Sequence, residues 1–253
     1  MTLKAILFDF NGIIINDEDI HRELINDLIL EENLRPNPQD YEQLCVGRSD
    51  RACLQAILGR RGRQVTEETL DELIAKKAQA YLSKVQNLSA LPLYTDVKSL
   101  VARLQDEDIR LGIVSGATRA EIELILERAE LISYFSFIVA GDEVKASKPS
   151  LEPYVAAITH LQQIDPALTA QNCLAIEDSY AGISAAQAAG VQVVAVANTY
   201  PLHMIQRCAD WAVDTLEQLE IDRLKFFFAS DFSEATLAKT DFPPEEADPA
   251  QPV

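Results

Sequence analysis

Six stretches of this chain are almost continuously apolar: "LKAILFDF", "RLGIVSG", "FSFIVAG", "CLAIEDS", "QVVAVAN" and the shorter "WAVDT". Each is short, rich in Val, Ile, Leu or Phe, and bounded by polar residues or Gly. That pattern predicts strands buried on both faces. Between several of them the spacing becomes helical. After Pro92, Val97, Leu100, Val101 and Leu104 share one helical face, and after "IVSG" so do Ile122, Ile125, Leu126 and Ala129. Strands that alternate with helices imply a parallel sheet covered on both sides, a Rossmann-like α/β fold.

The first strand breaks the alternation. From Asp17 to Ser89 there is no strong strand signal, but helical spacing is good at Leu70, Leu73, Ile74 and Tyr81, with Glu67 and Glu68 near the expected helix start. "LRPNPQD" and "LGRRGRQ" read as connections between helices. The expected organisation is a core of residues 1–16 and 90–228, with a helical cap of residues 17–89 inserted after the first strand. Residues 229–253 are acidic and Pro-rich, a composition expected for a disordered tail.

Charge narrows the partners. Asp and Glu number 40 against 22 Lys and Arg, for a net charge of −18. Such a chain repels a phosphate backbone, so nucleic acid is excluded as the main partner. Small anions still bind locally through cations, backbone N–H groups or a metal ion. Cys45, Cys53, Cys173 and Cys208 show no paired short spacing, so neither zinc nor a disulfide framework is expected, and scattered buried thiols are the simpler reading. There is no signal-peptide pattern and no apolar run long enough to cross a bilayer. The expectation is a soluble, cytoplasmic protein without a membrane partner.

Ligands of open α/β sheets bind beyond the carboxyl ends of the strands. Four such places carry reactive groups: Asp9, Ser115-Gly116, Lys148 in the loop before Pro149, and Glu177-Asp178. Each alone has an ordinary explanation. Ser115 would cap a helix beginning near Thr118, Lys148 would be a solvated cation, and the acid pair would be a turn. Their joint placement at one sheet edge points instead to a site.

Read together, "DFNGI", "LGIVSG", "ASKPSLEPY" and "IEDSYAGISAAQAAG" resemble, in order, the four motifs of haloacid dehalogenase superfamily hydrolases with a helical cap. The resemblance covers roughly residues 3–220. It implies that Asp9 attacks phosphorus and forms an aspartyl-phosphate. Ser115, with Gly116, would contact the phosphate, and Lys148 would balance its charge. Mg²⁺ would be held by carboxylate oxygens of Asp9 and Asp178 and the main-chain carbonyl of Asn11, with Glu177 behind them.

One position departs from the family pattern. Most phosphatases and mutases of the family carry a second Asp where this chain has Asn11. Metal ligation through a carbonyl survives that change, but an amide does not exchange a proton near neutral pH. Three readings follow. The first is a phosphatase of a small phosphorylated metabolite that borrows another acid, with Asp17, Glu18 and His21 as candidates. The second is a weakly active or inactive binder of a phosphometabolite or partner, and the third and most distant is a 2-haloacid dehalogenase. "CVGRSDRACLQAIL" resembles the substrate-facing cap segment. Val46 and Asp50 stand where family sugar-phosphate mutases carry basic residues, which argues against a mutase, and Arg48 and Arg51 lie at shifted places. Alternatively "GRSDR" is a helix start capped by Ser49 or Asp50. Arg48 and Arg119 are the candidates to hold a second anion of the substrate.

Overall fold

The computed structural model describes residues 2–229, and every apolar run becomes a strand. These are β1 (Ala5–Phe8), β2 (Arg110–Val114), β3 (Phe137–Val139), β4 (Cys173–Glu177), β5 (Gln192–Val196) and β6 (Trp211–Val213). They form one parallel sheet in the order β3-β2-β1-β4-β5-β6. β1, which carries Asp9 at its end, is therefore central. Phe8 is level with Ile113 of β2 and Ile176 of β4, so the residues that follow emerge side by side at one edge.

Side chains alternate across the sheet with period two. Ile6, Phe8, Ile113, Ile176 and Val194 enter one core, and Ala5, Leu7, Val114, Ala175 and Val193 enter the other. The first core is closed by α5 (Val97–Gln105), α6 (Arg119–Arg128) and α10 (Ile221–Ala229). The second is closed by α7 (Glu152–Ile164), α8 (Tyr180–Ala188) and α9 (Leu202–Ile205). The periodic faces around Leu100 and Ile122 are those that pack inward.

Between β1 and β2 the chain first builds four helices: α1 (Glu18–Glu31), α2 (Pro38–Leu44), α3 (Asp50–Arg60) and α4 (Glu67–Gln86). They enclose an apolar cluster of their own, including Ile25, Leu28, Leu54, Ile57, Leu58 and Leu70. The outgoing and returning segments run side by side, with Ile15 bridged to Leu93 and the Asn16 N–H donating to the Pro92 carbonyl at 2.8 Å. Local chemistry sets several helix starts. Ser49, Thr66 and Ser179 each accept a backbone N–H, and Thr118 forms a reciprocal capping box with Glu121. The cap at 118 is thus Thr118 itself and not Ser115.

The cysteines differ from expectation. Cys45 and Cys53 form a disulfide, while Cys173 and Cys208 are free. Gly47, at φ +72°, turns the chain between α2 and α3 and brings the two Cα atoms to 4.5 Å. A spacing of eight does not signal a pair; the turn creates it. Among the described residues no helix is long and apolar enough to cross a membrane. The expected tail, apart from Ala229, lies outside the described residues.

Phe8 is fully buried in the larger core, edge-on to Phe135 at 5.8 Å between ring centroids. Phe8→Ala is expected to lower stability by about 3–5 kcal/mol, read as a lower urea midpoint. A change below about 1 kcal/mol would show that the ring is not packed there.

Candidate active site

Asp9 follows the last residue of β1, and its backbone N–H donates to the Ile176 carbonyl at 2.9 Å. The carboxylate is thereby fixed against β4. Its Oδ1 accepts the Phe10 N–H at 2.7 Å and lies 3.0 Å from Lys148 Nζ. No side chain or N–H among the described residues is bonded to Oδ2. Asp9 also lines the cleft between cap and core. One oxygen is held and the other is available, which is the disposition a carboxylate nucleophile needs.

Lys148 is buried, and its Nζ donates to Glu177 Oε1 at 2.6 Å and to the Val114 carbonyl at 2.8 Å. Burial favours the neutral amine, but the charges of Asp9 and Glu177 outweigh it and the pKa rises, so the ammonium persists. Tyr154 Oη donates to the same Glu177 oxygen at 2.6 Å. Burial and the nearby Asp9 charge push Glu177 up to about 8. Its Oε2 is buried without a hydrogen-bond partner, facing the space that only Gly182 leaves open. Asp178 accepts from Thr199 Oγ1, and burial followed by the Asp9 charge raises its pKa well above the carboxylate range. A Cβ at Gly12 would overlap the Asp178 carboxylate, so the Gly of "DFNG" allows that approach.

Asn11 is the centre of a second cluster. Its Nδ2 donates to Asp17 Oδ1 at 3.0 Å and lies 3.1 Å from His21 Nε2. Nε2 is also 3.3 Å from Asp17 Oδ2, which accepts from Tyr81 Oη. Neutral His21 with its proton on Nδ1 accepts from Asn11; protonated at Nε2 it donates to Asp17. For His21, burial and the Lys77 charge lower the pKa, but Asp17, through charge and hydrogen bond, raises it further and the net shift is upward. For Asp17, burial raises the pKa, while His21 and the bonds from Asn11 and Tyr81 bring it below the usual value. Glu18 is raised, chiefly by burial, although Tyr41 Oη donates to it at 2.6 Å.

Of the residues expected from sequence, Asp9, Asn11, Arg48 and Gly116 line the cleft. Ser115, Lys148, Glu177 and Asp178 are buried. Ser115 Oγ accepts the Ala117 N–H at 3.0 Å, which leaves its own proton to donate. Arg119 is not brought to the cleft: its guanidinium donates to Glu143, Glu123 and the Ile138 carbonyl. Arg51 is likewise paired, with Glu67 and Asp71 on α4.

Lys77 was not anticipated. It lines the cleft yet is buried, 2.9 Å from Asp50 and 3.1 Å from Glu121, so it joins cap to core. The signal was a lysine at helical spacing between Leu73 and Tyr81, on the apolar face of α4. Tyr154 and Thr199 carried no comparable signal, because their partners are remote in the chain.

The acidic cluster suits a divalent cation. Asp9, Glu177 and Asp178 each offer an oxygen within 4.8 Å of the others. Burial and mutual repulsion raise Glu177 and Asp178, so a cation that replaces their protons is favoured there, and the all-oxygen donor set matches Mg²⁺. Asp9 and Asp178 are the better ligands, since Glu177 Oε1 is already held by Lys148 and Tyr154.

The same frame occurs in known proteins. Residues 6–196 match the model of the haloacid dehalogenase-like hydrolase family. The protein CbbY of Rhodobacter capsulatus is 28% identical over 221 residues, which covers 85% of this chain and 95% of that protein. The beta-phosphoglucomutase of Bacillus subtilis (strain 168) is 30% identical over 202 residues, covering 79% and 86% respectively. A crystal structure of beta-phosphoglucomutase from Clostridium difficile superposes with a TM-score of 0.78 at 22% identity, covering 89% of this chain and 97% of that one. With its parallel sheet, its helices inserted after β1 and the family match over residues 6–196, the chain belongs to the haloacid dehalogenase-like hydrolase family.

Proposed function

We propose that this protein is a Mg²⁺-dependent phosphatase of a small phosphorylated sugar or related metabolite. The observation that carries this reading is Asp9, with one oxygen held by Lys148 and the Phe10 N–H and the other uncommitted beside the cleft. In the proposed reaction Oδ2 attacks phosphorus in line with the leaving oxygen and forms an aspartyl-phosphate, which water then hydrolyses. Ser115 donates its hydroxyl proton to a phosphate oxygen. Lys148, 3.0 Å from Asp9 Oδ1, offsets the charge that accumulates during transfer. Mg²⁺, held by Asp9, Asp178 and the Asn11 carbonyl, would neutralise the carboxylates and the phosphate when bound.

The leaving oxygen needs a proton, and Asn11 does not supply it. His21 is the best substitute among the groups around it. Asp17 does not line the cleft and has a lowered pKa, so it remains a carboxylate that orients the imidazole. Glu18 lines the cleft but is already hydrogen-bonded by Tyr41. His21 lines the cleft, touches the Asn11 amide, and holds its proton to higher pH than an ordinary histidine. We infer that it exchanges the proton in place of a carboxylate at position 11. Asn11 and Asp50 weigh against a mutase, which must move protons in both half-reactions. A slow phosphate binder is the second reading, favoured by the amide at 11.

Hydrolysis of p-nitrophenyl phosphate tests the scheme. Asp9→Asn is expected to abolish turnover, and chelation of Mg²⁺ to do the same reversibly; metal-independent turnover would point to the dehalogenase chemistry instead. Asn11→Asp is expected to raise kcat by roughly tenfold or more, since general acid–base catalysis contributes on the order of 10²–10⁴. Because the His21 pKa is raised, wild-type kcat should hold through neutral pH and fall as the pH passes that higher value. His21→Gln should remove this alkaline limb and lower kcat by roughly 10². An unchanged pH profile in that variant would return the assignment to Glu18.

A further inference from the structure

The cap segment that faces the cleft is tied at both ends. Cys45 closes α2, Cys53 lies in the first turn of α3, and a disulfide joins them. The loop between them makes direct contacts with the core. Gly47 packs on Ser179, the Arg48 carbonyl approaches Gly116, and the Ser49 N–H donates to Ser147 Oγ at 2.7 Å. At the start of α3, Asp50 pairs with Lys77.

Cys45 and Cys53 also line the cleft, beside Arg48 and Asp50. Both are otherwise buried within the apolar cluster of the cap, so the cleft is the side on which they face solvent. Arg48 differs from the other cations of this region. Lys77 is neutralised by Asp50 and Glu121, and Arg51 by Glu67 and Asp71, whereas Arg48 has no carboxylate partner among the described residues. It is the cation left to meet an anionic group of the substrate.

We propose that Cys45–Cys53 is a reversible thiol–disulfide site, opened by a dithiol reductant, whose bond holds Arg48 ready for substrate. Only the second clause rests on the phosphatase reading. In the exchange, a thiolate of the reductant attacks one sulfur and the Cys45–Cys53 bond breaks as a mixed disulfide forms. The reductant's second thiol displaces it. The pair gains two electrons and two protons, and the reductant leaves as its own disulfide. A protein or small-molecule disulfide reverses the reaction. With the bond closed, the loop has few conformations and Arg48 is held beside Gly116. With it open, the loop is ordered at substrate binding instead.

The test uses the full chain purified without reductant. Thiols are alkylated in denaturant before and after dithiothreitol treatment, then counted and mapped by mass spectrometry. Two of the four cysteines, Cys173 and Cys208, should react before reduction and all four after it. Amides 46–50 should exchange hydrogen faster once the pair is reduced, with β1 and β4 unaltered. KM for the best phosphomonoester should rise roughly three- to tenfold, the cost of ordering one long side chain, with kcat changing less. Cys45→Ser should carry the higher KM with or without dithiothreitol; if it does not fold, the wild-type comparison remains decisive. Four reactive thiols before reduction would overturn the site, and unchanged exchange and KM after it would overturn its effect on the loop. Absence of turnover in both states would overturn the phosphatase reading instead, because thiol count and hydrogen exchange are read without turnover.

Discussion

One buried ammonium group organises the carboxyl edge of the sheet. Lys148 reaches from the loop before α7 to the end of β1 at Asp9, the end of β2 at the Val114 carbonyl, and the end of β4 at Glu177. A charge with so little water is tolerated only when each donor finds an acceptor. Removing one partner of such a pair typically costs about 3–5 kcal/mol, because the remaining charge is left uncompensated. The same constraint serves chemistry. Holding Asp9 Oδ1 against Lys148 leaves Oδ2 without a partner among the described residues, so the contact that stabilises the sheet edge also suits the role proposed for Asp9.

A second buried lysine repeats the logic at the junction of cap and core. Lys77 projects from α4 between Asp50 of α3 and Glu121 of α6. Burial alone would favour its neutral form, but the two carboxylates keep it protonated. The position of the cap is therefore linked to electrostatics. Asn11, Asp17, His21 and Tyr81 extend that linkage from the loop after β1, through α1, to α4. A change in charge at His21 is felt by residues that hold the cap as well as by the cleft.

Much of the fold was legible because its causes are local. Strands buried on both faces must be continuously apolar, and "CLAIEDS" and "QVVAVAN" are. The helices of residues 17–89 showed themselves through the spacing of Leu70, Leu73 and Tyr81 and through Glu67 and Glu68 at the start of α4. Three features were not legible. Arg119 pairs with Glu143, 24 positions away, instead of turning to the cleft. Tyr154 and Thr199 complete the site through partners on other elements. The Cys45–Cys53 bond depends on the backbone turn at Gly47.

The sequence by itself determined the alternation of strands and helices, the interruption after the first strand, and the chemical types at four strand ends. Those follow from side-chain period and polarity, which are written position by position along the chain. Only the tertiary structure decided which oxygen of Asp9 is held, that Asn11 rests on Asp17 and His21, and that Arg48, unlike Arg51 and Lys77, has no carboxylate partner among the described residues. The reason is physical: charge in a protein interior is decided by neighbours within a few ångströms, and here those neighbours come from β1, β4, the cap helices and the loop before α7, far apart in the chain.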